Sequence, residues 1–291
     1  MITCELVGGL GNQLFQIFAT LAYAIQYNTS VMFDYSSHTT AYHQSPSTFD
    51  LRHTYWNTLF VHIINLTTYS LPPNSTIDLS TFFPYKELRF EYNKLPEEIS
   101  KRNMKLTGYF QSYKYFQAQE KYIFKLLRIE KLQETVRNVY EFPFSLDQCV
   151  SLHFRIGDYK YSEPRHNVLT LEYYKKALTS LFENRTEQNV LYFCQKEDDE
   201  IVHLQINVLK ETFPNATFFK ISYDISDWEQ LLLMSCCRDN IIANSTFSWW
   251  GAYLSRHDKN DKIVYYPSKW FGDYYNDKTV DLFPPQWVEV T

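Results

Sequence analysis

The chain has 291 residues, 45% of them hydrophobic and 18% aromatic, enough to bury one or two cores and too apolar for a disordered polypeptide. Its formal net charge of -5 excludes a general nucleic-acid binder, which needs a basic surface, although a local basic pocket for a phosphorylated small molecule stays open. Five cysteines (Cys4, Cys149, Cys194, Cys236 and Cys237) form no CxxC pair and lie mostly in apolar runs, as buried reduced thiols do.

The first run, "MITCELV", reads as a short strand with no basic leader before it. A glycine-rich turn follows. From Leu14 to Gln26 apolar residues recur at helical spacing (Leu14, Ile17, Phe18, Leu21, Ala22, Ile25), and "SVMFDY" reads as a second strand ending at Asp34. Ser36 to Ile99 is irregular, with "LPPNST" a clear loop. "MKLTGYFQSYKYF" gives a further strand and turn, and Ala118 to Val139 reads as one helix.

Beyond Pro143 to Gln148 the pattern becomes regular. Strands "CVSLHFRI", "NVLYFC", "ATFFKI", "NIIAN" and "KIVYYP" alternate with helices "TLEYYKKALTSLFE", "EDDEIVHLQINVLKETF", "SDWEQLLLMSCC" and "STFSWWGAYLSR". Alternation of this kind predicts a parallel, doubly wound sheet. The expectation is an α/β protein of two domains, 1–145 and 146–291, facing a cleft. No apolar run is long enough to span a bilayer, so the expected location is cytoplasmic, and the sequons at Asn28, Asn65 and Asn244 read as incidental.

Three places carry chemistry. Gly9-Leu10-Gly11 lies between strand and helix like a dinucleotide fingerprint with Asp34 as ribose ligand, but Leu14 stands where the third glycine belongs. The same residues also fit a tight turn with Asn12 as helix cap, or Asn12 and Gln13 offering carboxamides to sugar hydroxyls. "SLHFRIGDYKY" places His153 and Arg155 on one face at the end of a strand, where a guanidinium suits a diphosphate, or where Arg155 simply pairs with Asp158. "NIIANSTFSWWGAYL" puts Asn244, Ser245 and Thr246 at a helix start, where N–H groups attract anions or the hydroxyls only cap. Trp249, Trp250 and Tyr253 read as core, and Phe247 as a surface for a base.

These motifs, "GGLGNQLFQ", "GYFQSYKYF", "HFRIGDY" and "IIANSTFSWWGAYL", occur in the order seen in the α-1,2-fucosyltransferases of glycosyltransferase family 11, and the chain resembles that family over nearly its whole length. The resemblance implies a GT-B fold with an acceptor-side domain at 1–145 and a nucleotide-sugar domain at 146–291. It implies GDP-β-L-fucose as donor, O2 of a galactose in a glycan as acceptor, inversion at the anomeric carbon, and no metal. On it, donor contacts fall to Gly9, Gly11, Asn12, Gln13, His153, Arg155, Asn244, Ser245, Thr246 and Phe247. Catalysis falls to Arg155, Asp158 and His153, with Asp34, His153 and Asp158 as candidates for the base. The family's HxRRGDY becomes His153 to Tyr159, with Ile156 for the second arginine and one fewer cation beside the donor. Its Ser-Asp-Asp becomes Cys194-Gln195-Lys196, leaving Glu197 or Asp198 to reach a nucleoside. Two other readings remain: a carbohydrate-binding protein without turnover, and an NAD-linked oxidoreductase built on the glycine turn.

Overall fold

The structure, a computed structural model, describes residues 1–39, 52–97, 102–161, 165–255, 257–258, 261–273 and 279–291. It divides into two compact units, one of Met1–Glu130 with Lys278–Pro284, the other of Lys131–Asp277 with Pro285–Thr291. The expected division at 145/146 therefore falls inside the second unit, and a short C-terminal piece belongs to the first.

In the first unit β1 (Ile2–Cys4) leads through the glycine turn into α1 (Leu10–Gln26). Its sheet is parallel, in the order β1-β3-β2, with β2 at Phe83–Lys86 and β3 at Met104–Thr107. β2 arises within the stretch that looked irregular, of which residues 40–51 and 98–99 lie outside the described set. The expected second strand at "SVMFDY" shrinks to isolated bridges, Val31 to Ile2 and Phe33 to Thr67. α1 is buried over most of its length, and Phe18 meets Phe116 edge-on at 5.4 Å. The single helix expected over 118–139 is two, α2 (Glu120–Leu127) and α3 (Ile129–Val139). Arg128 between them is left-handed at φ 53°, which ends a helix for any residue with a Cβ.

The second unit holds a six-stranded parallel sheet in the order β6-β5-β4-β7-β8-β9. The strands are β4 (Cys149–His153), β5 (Asn189–Phe193), β6 (Thr217–Lys220), β7 (Asp239–Ile241), β8 (Val264–Pro267) and β9 (Val288–Val290). The first five match the expected strands, and β9 is an edge strand the sequence did not announce. α4 (Leu171–Glu183) and α5 (Asp199–Thr212) share one apolar cluster with Val150, Leu152, Phe154 and Ile156. α6 (Asp227–Cys236) packs against α7 (Thr246–Tyr253). Gln133 of α3 donates to Ser235 Oγ and to the Leu254 carbonyl, both at 2.7 Å, which explains why α3 from Lys131 onward belongs with this unit. All five cysteines are buried and free, and burial pushes the Cys4 thiol up to about 12. Among the described residues no helix is long and apolar enough to cross a membrane.

Candidate active site

The strand order of the second unit determines where a ligand can sit. The chain runs outward from β4 to β5 and β6, then starts again at β7 on the other side of β4. At such a switch point the loops leaving the two neighbouring strands diverge, and a ligand crevice is expected at their carboxyl ends. Here those loops are 154–161 after β4 and 242–245 after β7.

Alternation along β4 decides which side chains reach the crevice. Val150, Leu152, Phe154 and Ile156 enter the cluster under α4 and α5. Ser151 and His153 face the other way: Asn240 bonds the Ser151 hydroxyl, and the His153 ring lies 5.7 Å from that of Phe247. Arg155 is held by three groups. Its Nη1 donates to Gln195 Oε1 at 2.7 Å, its Nη2 to Asp158 Oδ1 at 2.5 Å, and its guanidinium carbon lies 5.0 Å from the centre of the Tyr159 ring. Tyr159 stacks on His166 at 4.5 Å and donates to the Asn244 carbonyl at 2.9 Å. Behind Arg155, buried Asp198 accepts from the Gly157 N–H at 2.7 Å and lies 2.7 Å from Lys160 Nζ.

Among the described residues, His153 Nδ1 and Asn244 Oδ1 are buried without a hydrogen-bond partner. Burial and the neighbouring Arg155 charge lower the His153 pKa to about 3, so its ring is neutral at physiological pH. Asn244 spends its amide on backbone, donating to the carbonyls of Asn167 at 2.9 Å and Trp270 at 3.2 Å. Ser245 is the N-cap of α7 and accepts from Phe247 N at 3.3 Å. Thr246 begins the helix, and Thr246 and Phe247 are half-buried beside it.

The first unit gathers the glycine-turn residues separately. Gly8 has φ +77°, Gly9 is the N-cap of α1, and a Cβ on Gly9 would meet open space. The cap therefore has no side chain, and Asn12 is not it. Asn12 Oδ1 accepts from Gln111 Nε2 at 2.9 Å. Gln13 is buried and donates to the carbonyls of His53 at 2.9 Å and Gly8 at 3.1 Å. Gly11 is buried within the helix. Asp34 is exposed just beyond Phe33.

The family model of glycosyl transferase family 11 matches residues 1–291, the whole chain. The chain belongs to glycosyl transferase family 11. Over its full length it is 27% identical to an alpha-1,2-colitosyltransferase of Escherichia coli, covering 99% of that protein. It is 25% identical to a galactoside 2-alpha-L-fucosyltransferase of Caenorhabditis elegans, covering 100% of this chain and 79% of that one. With the Escherichia coli O-antigen biosynthesis glycosyltransferase WbnK it shares 35% identity over 147 residues, which is 48% of this chain and 44% of WbnK. Among solved structures, POFUT1 in complex with GDP is 10% identical at a TM-score of 0.49, covering 91% of this chain and 97% of its own.

For this family-11 glycosyltransferase the geometry revises three expectations. Ile156 is packed into the α4–α5 cluster, so its side chain faces the core. Asp198 is occupied by Gly157 and Lys160 and does not reach outward for a nucleoside. His153, its pKa lowered to about 3 by burial and by Arg155, is neutral, which disfavours it as the base for a hydroxyl. Sequence reading missed Tyr159, His166 and Gln195 as neighbours of Arg155. For Gln195 a signal existed: it follows the end of β5, the strand beside β4, so it stands at the same sheet edge as the crevice. Among the described residues no cluster of His, Cys, Asp or Glu is arranged to hold a metal.

Proposed function

We propose that this glycosyltransferase moves L-fucose from GDP-β-L-fucose, with inversion, to O2 of galactose in a glycan, giving an α-1,2 linkage. The observation that carries the reading is the guanidinium of Arg155, fixed at the switch point near two buried polar atoms without a partner among the described residues. A diphosphate leaving group gains negative charge as the glycosidic bond breaks. An arginine already aimed at it stabilises that charge without reorganising.

In this reading Arg155 takes the diphosphate, with the start of α7 at Ser245 and Thr246 adding N–H and hydroxyl donors. The half-buried Phe247 ring offers a face to guanine. Neutral His153 donates or accepts one hydrogen bond at the sugar or phosphate. Asp158 orients Arg155. Gly9 presents bare backbone at the start of α1 for a close substrate approach, while Gln13 braces that turn. Arg155 and the helix start neutralise the leaving group, so no metal is required.

A second reading keeps the same chemistry and changes the sugar. It is favoured by the full-length likeness to a protein named as a colitosyltransferase. Thermal stabilisation by a sugar-nucleotide panel separates the two. A ligand present at about a hundred times its Kd adds about 2.7 kcal/mol to stability. GDP and GDP-fucose are expected to stabilise the wild type, NAD and UDP are not, and Arg155→Ala loses the response. Turnover of GDP-fucose with a galactoside acceptor should persist in excess EDTA. Silence toward GDP would overturn the reading, and preference for the colitosyl donor would select the second.

A further inference from the structure

Arg155 is aimed by one charged and one neutral acceptor, and the difference between them matters for an anionic ligand. Asp158 cancels the guanidinium charge, so the pair is neutral overall. Gln195 Oε1 holds the other end of the fork at 2.7 Å and adds no charge. A carboxylate in its place would add a second negative charge beside the guanidinium.

The position of Gln195 is built into the fold. It follows β5, and the short helical turn Lys196–Asp198 returns the chain so that Asp198 Oδ2 accepts from the Gly157 N–H. Gly157 itself has φ +25°, and a Cβ there would run into Gln195 Oε1. The loop after β5 is thus clasped onto the loop after β4 at a glycine. On the same loop the Gln195 carboxamide accepts from Arg155.

We propose that Gln195 is the positioning residue for Arg155, a neutral acceptor that aims the guanidinium at a diphosphate without adding negative charge to the site. The proposal rests on the reading of the crevice as a nucleoside-diphosphate site. Gln195 acts through Arg155 and need not touch the ligand.

The test is calorimetric binding of GDP and of inorganic pyrophosphate to wild type, Gln195→Ala, Gln195→Glu, Arg155→Ala and the Arg155→Ala/Gln195→Ala double variant. Loss of the aiming hydrogen bond should weaken both ligands about tenfold in Gln195→Ala. Gln195→Glu keeps the shape, so it should fold as the wild type does. It should nevertheless bind more weakly than Gln195→Ala, by a margin that shrinks as salt is raised. In the Arg155→Ala background, Gln195→Ala should cost nothing further, a coupling that a merely structural residue does not produce. Wild-type affinity in Gln195→Ala, equal affinity of the Ala and Glu variants, or the same loss with and without Arg155 would each overturn the proposal. Pyrophosphate binding that follows the expected pattern without any preference for GDP keeps the proposal and overturns the donor assignment. Failure of the wild type to bind either ligand overturns both.

Discussion

His153 is kept uncharged by its surroundings: burial and Arg155 together hold its pKa near 3, against 6.5 for a free ring. The unfolded chain therefore takes up the proton first as pH falls. Between these two values the unfolded state binds more protons, so this histidine's contribution to stability is complete above about pH 6.5 and is lost toward pH 3. The loss reaches about 3 kcal/mol at about pH 4. His153→Gln, which cannot titrate, is expected to flatten the acid limb of a pH–stability curve measured by urea unfolding; an unchanged limb would show that His153 is not held neutral. At this scale the sequence showed that His153 and Arg155 share a face, because strand alternation is local. It could not show what they meet there. Gln195 and Asn244 arrive from other strands, and burial, which sets the pKa, is a property of all of them together.

At the scale of elements, one side chain ties three loops at the crevice. Asn244 follows β7, and its amide reaches the Asn167 carbonyl in the loop before α4 and the Trp270 carbonyl after β8. The Gly272 N–H bonds the Arg165 carbonyl at 2.8 Å and closes the same three-way join. Asn244→Asp would set a buried carboxylate against two carbonyls and should cost about 3 kcal/mol. Thermal unfolding reads the cost, and amide exchange should show the opening concentrated at 165–170 and 268–272; an exchange map unchanged there would reject the three-loop tie. The start of α7 was legible because Ser245 is a capping residue before an apolar run, and it does cap Phe247 N. The break between α2 and α3 was not, because Arg128 has no sequence mark of a left-handed residue and its neighbours keep helical spacing across it.

At the scale of the whole molecule, the C-terminal piece that returns to the first unit is its least local feature. Asp281 accepts from the Tyr92 N–H at 3.3 Å and pairs with Lys114, while its carbonyl accepts from Ser112 Oγ at 2.6 Å. Asp281→Ala should destabilise the first unit by about 2 kcal/mol, seen as faster amide exchange in 104–116 and not in β4 to β7. Equal acceleration in both units would argue that the segment acts on the molecule as a whole.

By itself the sequence determined the α/β class, the run of parallel strands from β4 to β8, and the placing of Arg155 and Ser245 at strand ends. Each follows from periods of two and 3.6 residues and from capping chemistry, which neighbouring residues settle among themselves. Only the tertiary structure decided that Asn12 meets Gln111, that Gln13 braces the glycine turn, that Ile156 is core, and that Gln195 bonds Arg155. Those outcomes depend on partners tens of residues away in the chain, and on burial, and no local pattern carries either.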